Sequence, residues 1–516
     1  MRLRLYYELN VTLLNAHAIN LPTLDQLKTI SKDLGFQLTD EKLLQYKEHM
    51  KGAQKAYQRV SELVEPTLEV KYPRTPGHRP KNDKNDNPNN AWAWRTDIQG
   101  AKEGKLYGRT VAIKDSIAVA GVPMSNGGKI FQGYVPEFDA TCVTRVLDAG
   151  GRITGKSQCE DMTFSANSFT SPFPVTNPAD PTRSSGGSCS GSGALLANGQ
   201  VDLAVGADTA GSIRVPASWC GIVGFKPTYG LVPCSGACFL DPTLDHIGPM
   251  ARTVDDCALL LEVLVGYDGF DSTTLSDRPV QEYSRLVTKG VAGLKVGFLK
   301  EGFEGCESDV EQVVKTTADM LRNAGATVED ISLPMHKDAM PLFHALTEGI
   351  YIQSFYGGSM GKSFYPNSIT DHYRKAIKTR PFDLPITRQA NALWGEFTKR
   401  FYDGKFYGKA QNLCKALTDE YNRALEKVDV LIMPTCHYKA PKLPAVSLDD
   451  VNELLTEAFS MVRNTVASNC TGHPSISVNV GFSEGLPVGA LITGRRHEDA
   501  TVLRVAKTLE SGPRPL

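Results

Sequence analysis

The feature that most constrains the fold is an alternation of short apolar strands with helical patterns over about 400 residues, from Lys105 to Glu510. It begins with an apolar strand within 108–122, a helix over 142–149 and a strand over 152–155. Further helices are predicted at 254–265, 308–324, 410–428, 450–468 and 498–510, and further strands at 294–298, 327–333, 428–434, 475–480 and 488–492. This alternation is typical of an α/β fold with a large mixed, mostly parallel central sheet covered by helices on both faces.

The segment before this alternation predicts a different organisation. Residues 1–73 are expected to form a helical appendage, because Thr23 and Thr39 can each cap a helix with apolar periodicity. We predict packing or dimerisation for it, rather than catalysis. Residues 74–90, rich in Pro, Asn, Lys and Asp, predict a solvated flexible linker, and residues 91–516 the main domain.

Composition and charge argue against several classes of function. The chain has 56 Lys+Arg against 57 Asp+Glu, a net charge of −1, which predicts no general attraction to nucleic acid or anionic membranes. It contains no apolar run of about 18 residues. The N-terminal segment is mildly apolar but interrupted by Glu8, Asn10, Asn15 and His17, so we predict no signal peptide and a cytoplasmic protein.

The eleven cysteines are scattered singly and odd in number, a pattern typical of reduced thiols rather than of a disulfide framework. Cys234, Cys238 and His246 resemble part of a metal site, but a fourth ligand with paired spacing is missing. We therefore predict neither a metal nor a cofactor.

Ser184–Pro227 carries the strongest functional signal. Two Gly/Ser turns, at 186–193 and 206–212, are separated by an apolar segment that reads as a buried helix and a short strand. Small residues of this kind are needed where backbone approaches a ligand or adopts positive φ, and a Gly run that opens a helix offers free N–H groups. The segment can therefore build a site.

Lys114 interrupts an apolar strand, Val111-Ala112-Ile113, where an ammonium group is costly to bury unless it is paired or neutral. An edge-strand lysine facing solvent, or a pair with Asp115, would also explain it. The spelling V-A-I-K is shared with protein kinases, but the Gly-rich stretch follows the lysine rather than preceding it, and HRD and DFG are missing. We therefore reject a kinase.

Two nucleophiles are possible in this segment. Cys189, in GSCSG, would need a strand immediately before it, whereas a loop with four prolines precedes it. Ser212 follows a strand and a glycine-bearing turn, the position at which open α/β sheets bind ligands. Thr209, Ala210 and Gly211 can direct consecutive N–H groups to one point beside the Ser212 oxygen, as in an oxyanion hole.

Charged residues and histidines surround this turn in the sequence. Asp208 and Arg214 flank Ser212 and are interpreted as a pair that fixes the turn, against the alternative of ordinary solvated charges. His246 and His473 suggest a Ser-His-Asp triad, but we interpret both as structural. A serine can instead be activated by a lysine that burial keeps neutral, and Lys114 lies on a strand that makes this possible.

The sequence GGSCSGSGALLANGQVDLAVGADTAGSIRVPASWCGIVGFKPT resembles the defining segment of the amidase signature family of serine hydrolases. GKSQCEDMTFS, LDHIGPMARTVDD, VDVLIMPT, TGHPSISV and GLPVGALITGRRHEDATVLRVA also resemble family segments. The resemblance covers roughly residues 91–510, and it is greatest to stand-alone bacterial broad-substrate amidases of the nitrile-degradation pathway.

The resemblance implies a Ser-cisSer-Lys triad. Ser212 would be the nucleophile, Ser188 the bridging serine held by a cis peptide, and Lys114 the base. The oxyanion hole would be formed by the backbone N–H groups of Thr209, Ala210, Gly211 and Ser212. This chain departs from the family pattern at Cys189, Ser190 and Ser116, which affects the expected loop geometry but retains the triad.

The resemblance implies an amidase that converts carboxylic acid amides to the acid and ammonia. The alternatives are the amidase subunit of a tRNA-dependent amidotransferase and a fatty acid amide hydrolase-like enzyme. Pocket walls are expected from 164–173, from 238–240 and from 343–365. The last of these segments lies within an interval, 337–407, that is predicted to be aromatic and irregular. A homodimer through the N-terminal helices is expected, and the natural amide stays open.

Overall fold

The computed structural model describes residues 19–81, 83, 85–276, 280–358, 361–444 and 450–512. The chain divides into two units, Met1–Thr67 and Leu68–Leu516. The described part of the smaller unit holds α1 (Leu24–Asp33) and α2 (Asp40–Glu62), and part of the predicted appendage, residues 1–18, lies outside the described residues. Both predicted caps are confirmed, since the Thr23 and Thr39 hydroxyls accept hydrogen bonds from Gln26 N and Lys42 N.

The larger unit is built on one eleven-stranded sheet, ordered β1-β3-β2-β4-β6-β5-β10-β11-β9-β7-β8. The strands are β1 (Trp92–Gln99), β2 (Thr110–Lys114), β3 (Arg152–Ser157), β4 (Leu203–Asp208), β5 (Val223–Lys226), β6 (His246–Ala251), β7 (Lys295–Leu299), β8 (Thr327–Ile331), β9 (Val430–Pro434), β10 (Ser475–Ser483) and β11 (Leu486–Gly494). The expected large mixed sheet is confirmed.

Parallel pairing is less common than the sequence predicts. It is confined to β3-β2-β4 and to β8-β7-β9, and the other six pairings among the described strands are antiparallel. A buried apolar strand has the same composition in either direction, so composition cannot predict its orientation. Between β10 and β11, Glu484 and Gly485 have φ of 52° and 77° and form a two-residue hairpin turn.

Helices cover both faces of the sheet. On β9, Val430 and Ile432 join one apolar cluster, whereas Leu431 and Met433 join another on the opposite face. The helices of this unit are α3 (Thr141–Asp148), α4 (Ser190–Ala197), α5 (Arg214–Cys220), α6 (Val254–Leu264), α7 (Tyr283–Leu286), α8 (Ser308–Asn323), α9 (Ala339–Tyr356), α10 (Asn367–Thr379), α11 (Ile386–Tyr402), α12 (Lys405–Lys427), α13 (Val451–Phe459), α14 (Val466–Thr471) and α15 (Asp499–Glu510).

Two predicted regions differ from the structure. The interval 337–407, predicted to be irregular, is mostly helical, as α9, α10 and α11. Two of its glycines and prolines mark helix boundaries rather than irregular backbone: Gly357 ends α9 in a left-handed conformation and Pro385 precedes α11. The single helix predicted over 450–468 is divided into α13, a short 3₁₀ turn and α14.

The segment 74–90, predicted to be a solvated linker, makes specific contacts within the larger unit. His78 and Arg95 exchange two backbone hydrogen bonds of 2.9 Å, and the Thr96 hydroxyl donates to Thr75 O at 2.7 Å. Arg74 forms an ion pair with the buried Asp139. The described part of this segment therefore belongs to the larger unit, whose boundary lies between Thr67 and Leu68.

None of the helices in the described ranges combines the length and the hydropathy needed to cross a lipid bilayer.

Candidate active site

Lys114 ends β2, which lies inside the sheet between β3 and β4. Its side chain is 1% exposed, and its Nζ donates to Ser188 Oγ at 2.8 Å and to Ala207 O at 2.9 Å. An edge lysine facing solvent is therefore wrong. The pair with Asp115 is wrong as well, because Asp115 lies 3.2 Å from the buried Lys156 Nζ.

Ser188 lies in the loop that leads into α4. The Gly187–Ser188 peptide is cis, as the family resemblance implies. Gly186, at φ 78°, donates its N–H to Ser184 Oγ at 3.0 Å. A Cβ on Gly187 would lie 2.8 Å from Glu160 Cγ, so the loop needs glycine there. The first Gly/Ser turn thus brings the Ser188 hydroxyl to Lys114 Nζ.

Ser212 lies in the second turn, between β4 and α5. It is 8% exposed, against 1% for Lys114 and for Ser188. Its carbonyl accepts a 3.2 Å hydrogen bond from Cys189 N, which joins the two turns. The Ser212 hydroxyl has no hydrogen-bond partner among the described residues. The most exposed of these three residues therefore has a hydroxyl that is available to a substrate.

The backbone donors beside Ser212 are not equivalent. The N–H groups of Thr209, Ala210 and Ser212 meet no acceptor in the part of the chain that the structure describes, whereas Gly211 N donates to Asp208 Oδ1 at 2.8 Å. Of the four predicted oxyanion-hole donors, Gly211 is therefore already engaged. Its φ of 141°, and the overlap that any Cβ at this position would have with Thr465 Oγ1, explain the glycine.

A buried ion pair holds this second turn. Arg214 Nη2 and Nε donate to the two Asp208 carboxylate oxygens at 2.8 and 3.0 Å, and both side chains are fully buried. Arg214 also donates to Thr465 O at 2.7 Å and to Asn469 Oδ1 at 2.6 Å. The alternative of solvated charges is therefore wrong.

The electrostatics of Asp208 follow from this pairing. Burial alone would raise the pKa of the Asp208 carboxyl, but the Arg214 guanidinium and the Asn469 amide hold it well below its usual range. The carboxylate therefore stays charged and keeps accepting from Gly211 N and from Ile213 N at 3.0 Å.

The departures from the family pattern all lie in the core, where the Ser116 hydroxyl has no hydrogen-bond partner among the described residues. Cys189 is fully buried, burial raises the pKa of its thiol, and its Sγ donates to Ala207 O at 3.3 Å. This environment opposes a thiolate nucleophile. The Ser190 hydroxyl donates to Glu160 Oε1 at 3.2 Å. Ser116 O accepts from Cys238 N at 2.8 Å.

Two carboxyl groups beside the turns, the buried Glu160 and the half-buried Asp245, were missed at the sequence level. Glu160 accepts from Thr170 N at 2.9 Å, and burial raises its pKa to about 7 despite such bonds. Asp245 accepts from the Thr209 hydroxyl and from Leu240 N at 2.7 Å, and burial raises its pKa to about 7. Asp245 therefore connects the nucleophile turn to a predicted pocket wall. Its motif, LDHIG, gave no signal beyond family resemblance.

A cavity of about 40 Å³ lies against this wall. The predicted segments supply Cys238, Phe239 and Leu240, and also Gln353 and Ser354. Leu240 packs in one apolar cluster with Ala210 of the nucleophile turn. Of the third predicted wall, 164–173, Pro172 and Phe173 line a separate cavity of about 150 Å³. The other residues of the smaller cavity are Asn126, Phe131, Met162, Pro366, Ile369, Thr370, Tyr373 and Arg388.

Arg388 brings a buried charge to this cavity, a feature that the sequence did not single out. Its guanidinium donates to the Ser354 hydroxyl, and to Tyr373 OH and Asn391 Oδ1 at 3.3 Å each. The guanidinium carbon lies 4.9 Å from the centre of the Phe164 ring. The cavity is therefore mixed, with aromatic walls and one cation.

The histidines have structural partners. His246 Nδ1 contacts Leu244 O at 2.7 Å and its Nε2 lies 3.2 Å from Lys226 Nζ. His473 contacts Thr471 and Asn422, and burial lowers its pKa to about 3. Within the described ranges, no three His, Cys, Asp or Glu side chains are grouped to hold a metal ion, and Cys234, Cys238 and His246 form no such group.

The comparisons with known proteins agree with this geometry. The family model described as Amidase matches residues 84–503. An enantioselective amidase from Rhodococcus rhodochrous is 39% identical over 503 residues, covering 94% of this chain and 95% of that protein. A glutamyl-tRNA(Gln) amidotransferase subunit from Methanosarcina mazei is 37% identical, covering 79% of this chain and 85% of its own length.

A solved bacterial aryl acylamidase of the amidase signature family superposes with a TM-score of 0.68 at 26% identity, covering 79% of this chain and 83% of its own. The match of the family model to most of the chain and the coverage of the Rhodococcus relative decide the assignment. This chain belongs to the amidase signature family and is a hydrolase that acts on amide C–N bonds.

Proposed function

We propose that this chain is a free-standing amidase that forms an acyl-enzyme on Ser212, with Ser188 as the proton relay and Lys114 as the base. The observation that carries the proposal is the 2.8 Å hydrogen bond from Lys114 Nζ to Ser188 Oγ, in a turn that the bond from Cys189 N to Ser212 O joins to the more exposed Ser212. A base that reaches the nucleophile through a second hydroxyl satisfies the requirement of serine catalysis for an adjacent proton acceptor.

The first half of the reaction forms the acyl-enzyme. Ser212 Oγ attacks the amide carbonyl carbon while its proton passes to Ser188, whose own proton passes to Lys114. The carbonyl oxygen becomes an oxyanion, and the N–H groups of Thr209, Ala210 and Ser212 are free to donate to it. The proton then returns through Ser188 to the amide nitrogen, the C–N bond breaks and ammonia leaves.

The second half regenerates the enzyme. Water attacks the ester carbon and gives a proton to Lys114 through Ser188. The intermediate collapses to the carboxylic acid as the proton returns to Ser212 Oγ. The role of the Asp208–Arg214 pair is structural. Both side chains are fully buried, and they fix the backbone that carries the N–H donors.

The experiment is ammonia release by the purified chain from a series running from acetamide through benzamide to long-chain amides. Turnover by the chain alone supports a free-standing amidase, and Ser212→Ala should abolish it in a folded protein. A preference restricted to long-chain amides would indicate the fatty acid amide hydrolase-like alternative. No turnover of any amide would contradict the proposal.

The second candidate, a subunit of a tRNA-dependent amidotransferase, is favoured by several relatives of that kind at 34–37% identity. Coverage favours the free-standing enzyme, because those relatives match 79–81% of this chain and the Rhodococcus amidase matches 94%. Amide hydrolysis that appears only after addition of partner subunits and ATP would support the second candidate.

We also propose a cytoplasmic homodimer that associates through the helices of the smaller unit. In this unit Ile30, Leu34 and Leu44 are about half exposed. Ile30 and Leu34 also line an apolar groove of about 590 Å³. Light scattering after size exclusion should give a dimer that Ile30→Ser plus Leu34→Ser converts to a monomer. A monomeric parent protein would contradict this proposal.

A further inference from the structure

Helix α11 buries its polar face and exposes its apolar face. Its buried positions are polar or small: Thr387, Arg388, Asn391, Gly395 and Thr398. Its outward positions Leu393, Trp394 and Phe401 are 75%, 57% and 71% exposed. A surface helix of a globular protein normally shows the opposite arrangement. The preceding helix α10 does so, since it buries Ile369, Tyr373 and Ala376.

The outward side chains form one continuous strip. The Trp394 and Phe397 ring centroids lie 5.6 Å apart, Phe397 and Phe401 lie 5.3 Å apart, and Tyr402 lies 6.1 Å from Phe406 at the start of α12. Phe397 also contacts Tyr402, with centroids 5.6 Å apart. We call Leu393, Trp394, Phe397, Phe401, Tyr402 and Phe406 the aromatic strip. Its continuity distinguishes it from scattered exposed apolar residues, which need no partner.

Basic residues outnumber acidic ones in the segment that carries the strip. Residues 362–409 contain ten Lys and Arg but only four Asp and Glu, although the whole chain has a net charge of −1; of the ten, Arg388 is buried and Arg380 and Arg400 are paired with carboxylates. Lys405 Nζ lies 5.4 Å from the centre of the Phe406 ring, and Lys399 Nζ lies 3.7 Å from that of Tyr356. Lys399, Lys405 and Lys409 are exposed. The surface around the strip is therefore positively charged, although the net charge of the whole chain is near zero.

The charge around the strip indicates whether a second copy of the chain or an anionic surface binds there. A two-fold contact of the strip with the same strip of a second copy would bring two positively charged segments together, which electrostatics opposes. An anionic surface would instead be attracted to the lysines while the aromatic side chains enter its apolar layer. A helix with Trp, Phe and Leu on one face and flanking Lys and Arg is typical of helices that lie in the plane of a membrane interface.

We propose that the aromatic strip of α11 docks this enzyme reversibly on anionic phospholipid surfaces. The docking is peripheral, since the described helices include none that could cross a bilayer. It is independent of the hydrolytic mechanism, because none of the strip residues contacts Lys114, Ser188 or Ser212 among the hydrogen bonds and ring contacts of the described residues.

The test is co-sedimentation of the full chain with sucrose-loaded vesicles of phosphatidylcholine alone and of phosphatidylcholine with 30% phosphatidylserine. Wild-type protein should bind the anionic vesicles, and more weakly in 0.5 M NaCl because salt screens the lysines. Phe397→Ser plus Phe401→Ser should weaken binding at least about tenfold, from the loss of buried aromatic area. Lys405→Ser plus Lys409→Ser should cost about fivefold per charge removed.

Tyr107→Ser, at another exposed aromatic residue of the same unit, is the matched control and should bind like wild type. All variants should hydrolyse a small water-soluble amide at the wild-type rate and should keep the melting temperature of the wild-type protein. Three results would overturn the proposal: no binding of wild type to either vesicle, equal binding by the Phe397/Phe401 variant, or a wild-type oligomer that this variant dissociates without any vesicle binding. The last result would assign the strip to a second copy.

Discussion

The two Gly/Ser turns of the site are held by different forces. In the first, Ser188 depends on hydroxyl contacts: Ser184 Oγ accepts from Gly186 N, and Ser190 Oγ donates to Glu160. In the second, Ser212 follows a carboxylate that pairs with the buried Arg214. The relay is thus placed by hydrogen bonds that involve largely neutral groups, whereas the nucleophile is placed by paired charges. Substitutions in the two turns should therefore fail in different ways.

The largest expected effect is on turnover, at the relay. Lys114→Ala should lower kcat at least about 10³-fold, since general base catalysis and activation of the nucleophile are both lost. Because Lys114 and Ser188 act as one unit, Lys114→Ala plus Ser188→Ala should lose little more than Lys114→Ala alone. Ammonia release at neutral pH measures both variants. Near-wild-type turnover by Lys114→Ala would exclude the lysine base.

The second effect is on stability, at the nucleophile turn. Arg214→Met leaves the Asp208 carboxylate buried without its cation, which should lower the free energy of unfolding by about 3–5 kcal/mol. Urea denaturation followed by circular dichroism measures it. Arg152→Met removes the exposed pair with Asp97 and is the control, with an expected loss below about 1 kcal/mol. Equal losses in the two variants would refute the view that buried charges hold this turn.

A third effect tests the connection between the turn and the pocket wall. In Asp245→Ala, both acceptor oxygens are removed, so the Thr209 hydroxyl and the Leu240 N–H lose this partner. We expect kcat/KM to fall at least about tenfold, the order of one lost hydrogen bond near 1.4 kcal/mol. Thr243→Val is the control, because its hydroxyl donates to Asp241 rather than to Asp245. Unchanged kcat/KM in Asp245→Ala would remove Asp245 from the site.

The fourth effect is a pH dependence at the first turn. Glu160 has a pKa of about 7 in the folded protein, above the 4.5 of an exposed glutamate. The folded state therefore holds more protons between pH 4.5 and 7, and stability from this group falls as pH rises through that window, by at most about 1.4 kcal/mol per pH unit. Glu160→Gln should flatten the melting temperature over this range. Unchanged pH dependence would show that Glu160 does not titrate there.

The sequence predicted those parts of the molecule that depend on local pattern. The Thr23 and Thr39 caps, the apolar strand at Val111–Ile113 and the spacing of Asp208 and Arg214 are all readable within a few residues. Strand direction was not readable, because β4 and β6 pair antiparallel through contacts between distant segments. Asn469, which donates to Asp208 Oδ1 at 2.9 Å, is likewise 261 residues away.

The aromatic interval at 337–407 shows a second limit. Its helices were missed because α9 buries apolar residues over much of its surface, so amphipathic periodicity is weak, and α11 presents its apolar residues outward. The pattern of α11 is nonetheless periodic. Composition alone could not show which face was buried, because that depends on Arg388 and its partners inside the fold.

Ser212 is the residue that becomes acylated in the proposed mechanism. The most direct measurement is intact-mass spectrometry of the enzyme quenched in acid during turnover of a slow anilide or p-nitrophenyl ester, followed by peptide mapping. We predict one acyl group per chain, located on Ser212, and none in Ser212→Ala. An acyl group on Cys189, or an acylated Ser212→Ala variant that turns over at the wild-type rate, would contradict Ser212 as the nucleophile.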